Sequence, residues 1–175
     1  MRRRAIVAAK QMVTAYHISG GRFGLNLACD WFPPEFAMFG SAMMDHESRY
    51  RYAGEWIDVV KLLWTREEEF DFEGEFFQIA KGQSSPKPLQ KPHPPIMQAG
   101  QSRTGARFAA KYANIAFQSV SEGEPIEDIR RRFANLRPLG RDEFGRSCEI
   151  WLAAWVICRP TQAEADRFRD YVLED

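Results

Sequence analysis

From about residue 96 onward, short apolar runs alternate with helical ones, and this rhythm constrains the fold more than any other feature. Ile96-Met97-Gln98-Ala99 reads as a buried strand, and Gly100-Gln101-Ser102 leads into a helix from about Arg103 to Tyr112. Ile115-Ala116-Phe117-Gln118 reads as the next strand, Ile126 to Leu136 as a helix with arginines on its solvent face, and Ile150 to Ile157 as a further strand. Thr161-Gln162-Ala163-Glu164 is a capping box that opens the last helix. Strands and helices in alternation imply a parallel sheet with helices packed outside it, joined by right-handed connections. A barrel and an open doubly wound sheet both fit.

Upstream, Ile6, Val7, Ala9, Met12, Val13 and Tyr16 recur at helical spacing, which predicts a helix over residues 2–18 ended by Ser19-Gly20-Gly21. Residues 23–28 read as a short strand, followed by a loop of about fifteen residues holding Pro33-Pro34, Glu35 and Gly40. A long helix is expected from about Asp45 to Trp64, and a β-hairpin over Phe70 to Ile79 around Glu73-Gly74. Pro86 to Pro95 contains five prolines in ten residues and must be extended.

Bulk composition narrows the function classes. The 24 basic and 24 acidic side chains cancel, which argues against nucleic acid as the main partner. No apolar run approaches the roughly 18 residues needed to span a bilayer. Met1-Arg2-Arg3-Arg4 opens either a targeting peptide or an ordinary helix with a charged start. The apolar run Ala5 to Ala9 is too short for a secretory core. Cys29, Cys148 and Cys158 are odd in number and scattered, as expected of thiols in a reducing cytoplasm. His17, His46 and His93 have no metal-ligand spacing, so no metal is expected and they read as structural or surface residues. At 175 residues the chain can bury a sizeable core, yet a complete (β/α)8 barrel needs roughly 250.

Parallel α/β proteins bind ligands at the carboxyl ends of their strands, and three places qualify. Asn26 lies within an apolar strand, where a buried amide needs a partner from the protein or from a ligand. Glu35, near Trp31, and the pair Arg49-Tyr50 either line a polar pocket or form surface ion pairs. In Ala99-Gly100-Gln101-Ser102-Arg103-Thr104-Gly105, small residues leave a strand and enter a helix, so backbone N–H groups, the helix dipole and the Ser102 hydroxyl favour an anion. The alternative there is a plain cap with tight helix–sheet packing. No Gly-x-Ser-x-Gly element appears, and Cys29 has no obvious histidine partner, so no catalytic residue is assigned.

Taken in order, these segments resemble the bacterial luciferase-like flavin monooxygenases. The resemblance rests on Ile18-Ser19-Gly20-Gly21-Arg22-Phe23-Gly24-Leu25-Asn26-Leu27, Asp30-Trp31, Glu35, Arg49-Tyr50, Glu55-Trp56 and Leu63-Trp64. It continues through Phe72-Glu73-Gly74-Glu75-Phe76-Phe77, Ala99-Gly100-Gln101-Ser102 and Thr161-x-x-Glu164-Ala165. Within the family it is nearest to pyrimidine monooxygenases, with alkanesulfonate monooxygenases as the next cousins. In the alkanesulfonate branch the strand before the capping box carries an arginine and a histidine, where this chain has Ala153-Ala154-Trp155. After the asparagine strand the family often has Thr-Gly-Trp, and here the segment is Cys29-Asp30-Trp31.

The resemblance implies an α/β fold: a partial TIM (β/α)8 barrel lacking the first strands and the last strand, with an inserted β-hairpin, as one incomplete domain over residues 1–175. It implies reduced FMN as cofactor and O2 as co-substrate, oxygenating a small organic substrate, with reduced flavin delivered by an NAD(P)H-dependent flavin reductase. Carried over by motif, Asn26, Glu35, Arg49, Tyr50 and Ser102 fall on flavin-contacting positions. Alternatives that follow from the same resemblance are a fragment inactive alone or needing a second copy or chain, and a deazaflavin-dependent reductase of the same superfamily.

Overall fold

A computed structural model describes residues 5–29, 32–38, 40, 42–121, 123–153 and 156–173. Met1 to Arg4, Asp30, Trp31, Ala154 and Trp155 therefore lie outside the described residues, and with them the charged start and the departures at Asp30-Trp31 and Ala154-Trp155.

The first helix, α1 (Ala5–Ile18), stops where Gly20 and Gly21 take left-handed φ values of 60° and 84°. Their N–H groups donate to the carbonyls of His17 (3.1 Å) and Tyr16 (2.9 Å), satisfying the helix end. Strand β1 (Leu25–Asn26) is shorter than expected. The following segment, expected as a loop, contains a short helix, α2 (Pro33–Met38), because prolines at a helix start forfeit no hydrogen bond and preset φ. The long helix α3 (His46–Thr65) begins as expected, with the Asp45 carboxylate accepting from Ser48 N at 3.0 Å.

The hairpin β2 (Phe70–Glu73) and β3 (Gln78–Gly82) is antiparallel. Its loop is latched to α3 by Glu55, whose carboxylate accepts from the backbone N–H groups of Glu75 (2.7 Å), Phe76 (2.8 Å) and Phe77 (3.2 Å). A Cβ on Gly74 would collide with that carboxylate, so glycine is required at this close approach.

After the proline segment come β4 (Ile96–Gln98), α4 (Arg103–Tyr112), β5 (Ile115–Ser119), α5 (Ile126–Phe144), β6 (Glu149–Ala153) and α6 (Gln162–Leu173). The capping box forms: Thr161 N donates to Glu164 Oε2 at 3.0 Å and Glu164 N to Thr161 Oγ1 at 3.3 Å. Helix α5 outruns its expected end at Leu136, continuing through Pro138 to the left-handed Gly145, whose N–H donates to Arg141 O at 3.1 Å. The single hydrogen bond lost at Pro138 is outweighed by the turn it prolongs, which buries Gly140 against the backbone of Arg146.

The sheet runs β1-β4-β5-β6, all parallel, and the hairpin is separate. The core lies on one face, where Ile96 and Ala116 meet Ile57, Val60 and Trp64 of α3, Ala9 and Val13 of α1, and Phe108 and Ala109 of α4. Each such large apolar side chain contributes roughly 1.5–3 kcal/mol by leaving water. Among the described residues β1 and β6 are the sheet's outer strands, and β6 exposes Trp151 and Leu152. No helix among the described residues is long and apolar enough to cross a membrane.

Candidate functional site

The carboxyl ends of β1 and β4 lie beside the amino ends of α3 and α4, and this junction gathers most of the polar side chains singled out by the sequence. Arg49 is spent on backbone: Nε donates to Cys29 O (3.2 Å) and Nη1 to Met44 O (2.7 Å), tying the chain after β1 to the approach of α3. Neither an ion pair nor a hydrogen bond joins it to Glu35 among the described residues, which removes the surface-pair reading. Glu35 sits exposed on α2, and its backbone N–H closes the turn to Phe32 O at 3.1 Å.

Asn26 corrects an expectation. Its neighbours Leu25 and Leu27 pack toward the core, so the intervening side chain alternates to the opposite face and is exposed rather than buried. The need for a buried partner therefore disappears.

Tyr50 reaches from α3 to the turn between β4 and α4. A Cβ on Gly105 would lie 2.7 Å from its Oη and 2.8 Å from the Gly100 carbonyl carbon, and a Cβ on Gly100 would also strike that hydroxyl. The two glycines let strand, helix and phenol meet at one point. Burial pushes the Tyr50 phenol above its ordinary value, with the neighbouring Cys29 adding to the effect, while hydrogen bonding to Ser102 and Gln98 opposes it. Its ring stands edge-on to Phe108 at 5.4 Å, which fixes it against the core.

Ser102 caps α4, its Oγ accepting from Gly105 N at 3.0 Å. The N–H groups of Arg103 and Thr104 have no acceptor within the helix, since the first turn cannot supply one. Beneath this turn Gln98 is 1% exposed, with its Oε1 unpartnered among the described residues and its amide nitrogen packed under Gly100. On the other side, Gln101 donates through its amide to Ser119 Oγ, and Arg132 Nη2 donates to Ser119 O at 3.0 Å and to Glu124 Oε2 at 3.3 Å. These bonds brace the turn from the end of β5.

His46, an exposed residue at the start of α3, also belongs to this cluster. Its Nε2 lies 3.3 Å from Ser102 Oγ and its Nδ1 3.1 Å from Glu47 Oε1, and that oxygen also accepts from Thr104 Oγ1 at 2.8 Å. The Thr104 hydroxyl, and then His46, hold the Glu47 carboxyl below its usual value. The available signal was spacing: His46 precedes Tyr50 by four residues, so both occupy one face of α3, and their rings lie 5.0 Å apart.

The arrangement offers one anion-binding element: an uncapped pair of N–H groups, a hydroxyl and an imidazole, approached by two glycines. Among the described residues neither Asn26 nor Glu35 forms a hydrogen bond to it. A separate groove of about 590 Å3 between α5 and β6, lined by Arg137, Arg141, Cys148, Glu149 and Trp151, holds none of these residues. Among the described residues no three His, Cys, Asp or Glu side chains gather in a metal-binding geometry.

The profile of the luciferase-like monooxygenases matches residues 1–173. An FMNH2-dependent dimethylsulfone monooxygenase of Pseudomonas putida is 35% identical over 159 residues, covering 91% of this chain and 42% of the relative. A pyrimidine monooxygenase (RutA) of Allorhizobium ampelinum is 38% identical over 157 residues, covering 89% and 42%. The solved EDTA monooxygenase of Chelativorans sp. BNC1 superposes with a TM-score of 0.83 at 26% identity, covering 97% of this chain and 45% of that one. The chain thus spans less than half the length of the relatives it matches.

Proposed function

Because this chain belongs to the luciferase-like monooxygenase family, we propose that it carries the flavin-phosphate cradle of an FMN-dependent monooxygenase. Its parallel sheet and outer helices form part of the family's (β/α)8 barrel. The observation that carries the proposal is the open amino end of α4 at the carboxyl side of that sheet, with Ser102 at its base.

The residues present fit the group. The N–H groups of Arg103 and Thr104 and the Ser102 hydroxyl would hold a dianionic phosphate, which the helix dipole favours. Gly100 gives the phosphate access to the backbone. Tyr50 presses against this turn, and Arg49 holds the chain after β1 in place, which keeps the cradle rigid. Asn26 and Glu35 complete the set of flavin contacts in this reading. Reduced FMN, when bound, supplies the electrons with which O2 oxygenates a small organic substrate. An NAD(P)H-dependent flavin reductase would deliver the reduced cofactor, in the cytoplasm, with residues 1–175 acting as one unit and a second copy as a possible partner. The protein's own contribution is binding, orientation and exclusion of water, and no residue is assigned a proton-transfer role.

The test is a titration of oxidised FMN into the chain, followed by flavin fluorescence, with Ser102→Ala and a deazaflavin cofactor as comparisons. Saturable FMN binding, weakened about tenfold in Ser102→Ala, supports the reading. Absence of FMN binding, or preference for the deazaflavin, overturns it. Oxygen consumption with NAD(P)H and a flavin reductase then separates a cradle active alone from one that needs further chain.

A further inference from the structure

We infer that Lys61 is a site of covalent acylation, taking the acyl group of a small anionic donor of the acyl-phosphate class. The site gathers around the last turn of α4 and does not depend on flavin binding. Lys61 Nζ, reaching over from α3, donates to Tyr112 O at 3.0 Å. Arg146 donates to the carbonyls on either side, Lys111 O and, at 3.2 Å, Ala113 O. Three consecutive carbonyls thus bring an ammonium and a guanidinium side by side. The Lys61 and Lys111 amines also lie over one ring, that of Tyr112, at 5.5 Å and 4.7 Å from its centroid. A guanidinium does not give up its proton, so this crowding acts on Lys61. An ammonium carries three N–H donors, and among the described residues Lys61 meets one acceptor. No ion pair joins it to Asp58, one turn earlier on α3, whose carboxylate accepts from the Tyr112 hydroxyl at 3.3 Å. An acylated side chain carries one N–H, which the Tyr112 carbonyl can accept. The neutral amide therefore suits this place better than the ammonium does.

The groups that face Lys61 are Asp58 on α3, Lys111 and Tyr112 on α4, Arg146 after α5, and His93 in the proline segment. Burial, and then Arg146, lower the Lys61 pKa to about 8, and Asp58 opposes them only in part. Near that pH much of the side chain is neutral amine, where an ordinary lysine holds well under about 1%. A desolvated lysine beside another cation is an activated nucleophile. Arg146 and Lys111 supply the positive charge that draws the donor's phosphate. The Nζ lone pair attacks the donor's carbonyl carbon and an N–C bond forms. The C–O bond to phosphate breaks, and its electron pair leaves with the phosphate. The surplus proton on nitrogen passes to the Asp58 carboxylate, which burial makes more basic, and then to water. Nothing is oxidised or reduced.

Acetyl phosphate, applied briefly to the full chain at pH 8, tests the inference, with acetyl occupancy at each lysine read by peptide mass spectrometry. Lys61 should label about tenfold faster than the exposed Lys10, Lys81 and Lys91, the gain in neutral amine being discounted for its lower basicity. In the urea-unfolded chain the preference should vanish. In Arg146→Met, shown by circular dichroism to be folded, it should fall by roughly threefold. The uncharged N-hydroxysuccinimide ester of acetate should show a weaker preference for Lys61 than acetyl phosphate does. Labelling of Lys61 no faster than of the exposed lysines overturns the inference. So does a preference that survives in urea, which marks the local sequence rather than the fold. An unchanged preference in Arg146→Met overturns the role of the cation cluster, and an equal preference with the uncharged ester overturns the acyl-phosphate assignment.

Discussion

At the carboxyl end of α4 three donors close the helix: Lys61 Nζ reaches Tyr112 O at 3.0 Å, and Arg146 reaches both Ala113 O at 3.2 Å and Lys111 O. At its amino end one side chain, Ser102, satisfies one N–H, that of Gly105. Both ends obey the same electrostatics, cations where the dipole is negative and an anion-seeking group where it is positive. The difference is that the carboxyl end is finished by the chain itself, from α3 and the segment after α5, whereas the amino end keeps donors in reserve. The finished end lies away from the strands' carboxyl edges, and the unfinished one lies upon them. The contrast separates what holds α4 in place from what α4 is there to hold.

The sharpest way to break this contrast is Gly105→Ala. The added Cβ would lie 2.7 Å from Tyr50 Oη and 2.8 Å from Gly100 backbone. Overpacking of this kind costs about 1–3 kcal/mol, read as a lower urea midpoint. A Tyr50→Phe background removes one obstacle and restores only part of the loss, because the Gly100 backbone remains. Next in size is Arg146→Met at the other end. It leaves two carbonyls without their donor, an expected loss of about 1–2 kcal/mol in urea unfolding with no change in flavin affinity. Ser102→Ala should cost about 1 kcal/mol as a lost N-cap, and it alone of the two end variants should also weaken FMN binding. If Arg146→Met weakens FMN as much as Ser102→Ala does, the two ends are coupled and the division of labour fails.

The sequence made much of this legible, because periodicity and caps are local. Helix α3, the hairpin, the strand–helix alternation and the capping box at Thr161 follow from residues within a few positions of one another. What escaped was long-range. Asn26 was expected to be buried from its apolar neighbours, but which face a two-residue strand turns to the core depends on its register against β4. Helix α5 runs past its expected end at Leu136, where Gly140 packs against the backbone of Arg146. The Glu55 latch joins residues about twenty positions apart, and His46 meets Ser102 across 56. Tyr50 lies against the Gly100–Gly105 turn, and Arg49 beside it serves backbone carbonyls rather than an acid.

The smallest effect tests whether the finished end relies on charge or on a donor. Burial, and then repulsion from Arg146, lower the Lys61 pKa from 10.5 to about 8, and Asp58 only partly opposes them. Desolvation therefore outweighs the helix dipole, which by itself would favour the ammonium. The sign follows from proton counting. Between about 8 and 10.5 the unfolded chain holds the proton on Lys61 more often than the folded one, so stability from this group rises with pH across that window. Below about 8 both states are protonated and the group contributes no slope. Lys61→Met keeps the aliphatic stem and removes the titration. The difference in urea midpoint between the unaltered chain and Lys61→Met, followed from pH 7 to pH 10, should be flat at first and then move in favour of the unaltered chain. A difference that instead falls over that window would mean the ammonium is held by the Tyr112 carbonyl and the dipole, and the carboxyl end of α4 would then be closed by charge as well as by hydrogen bonds.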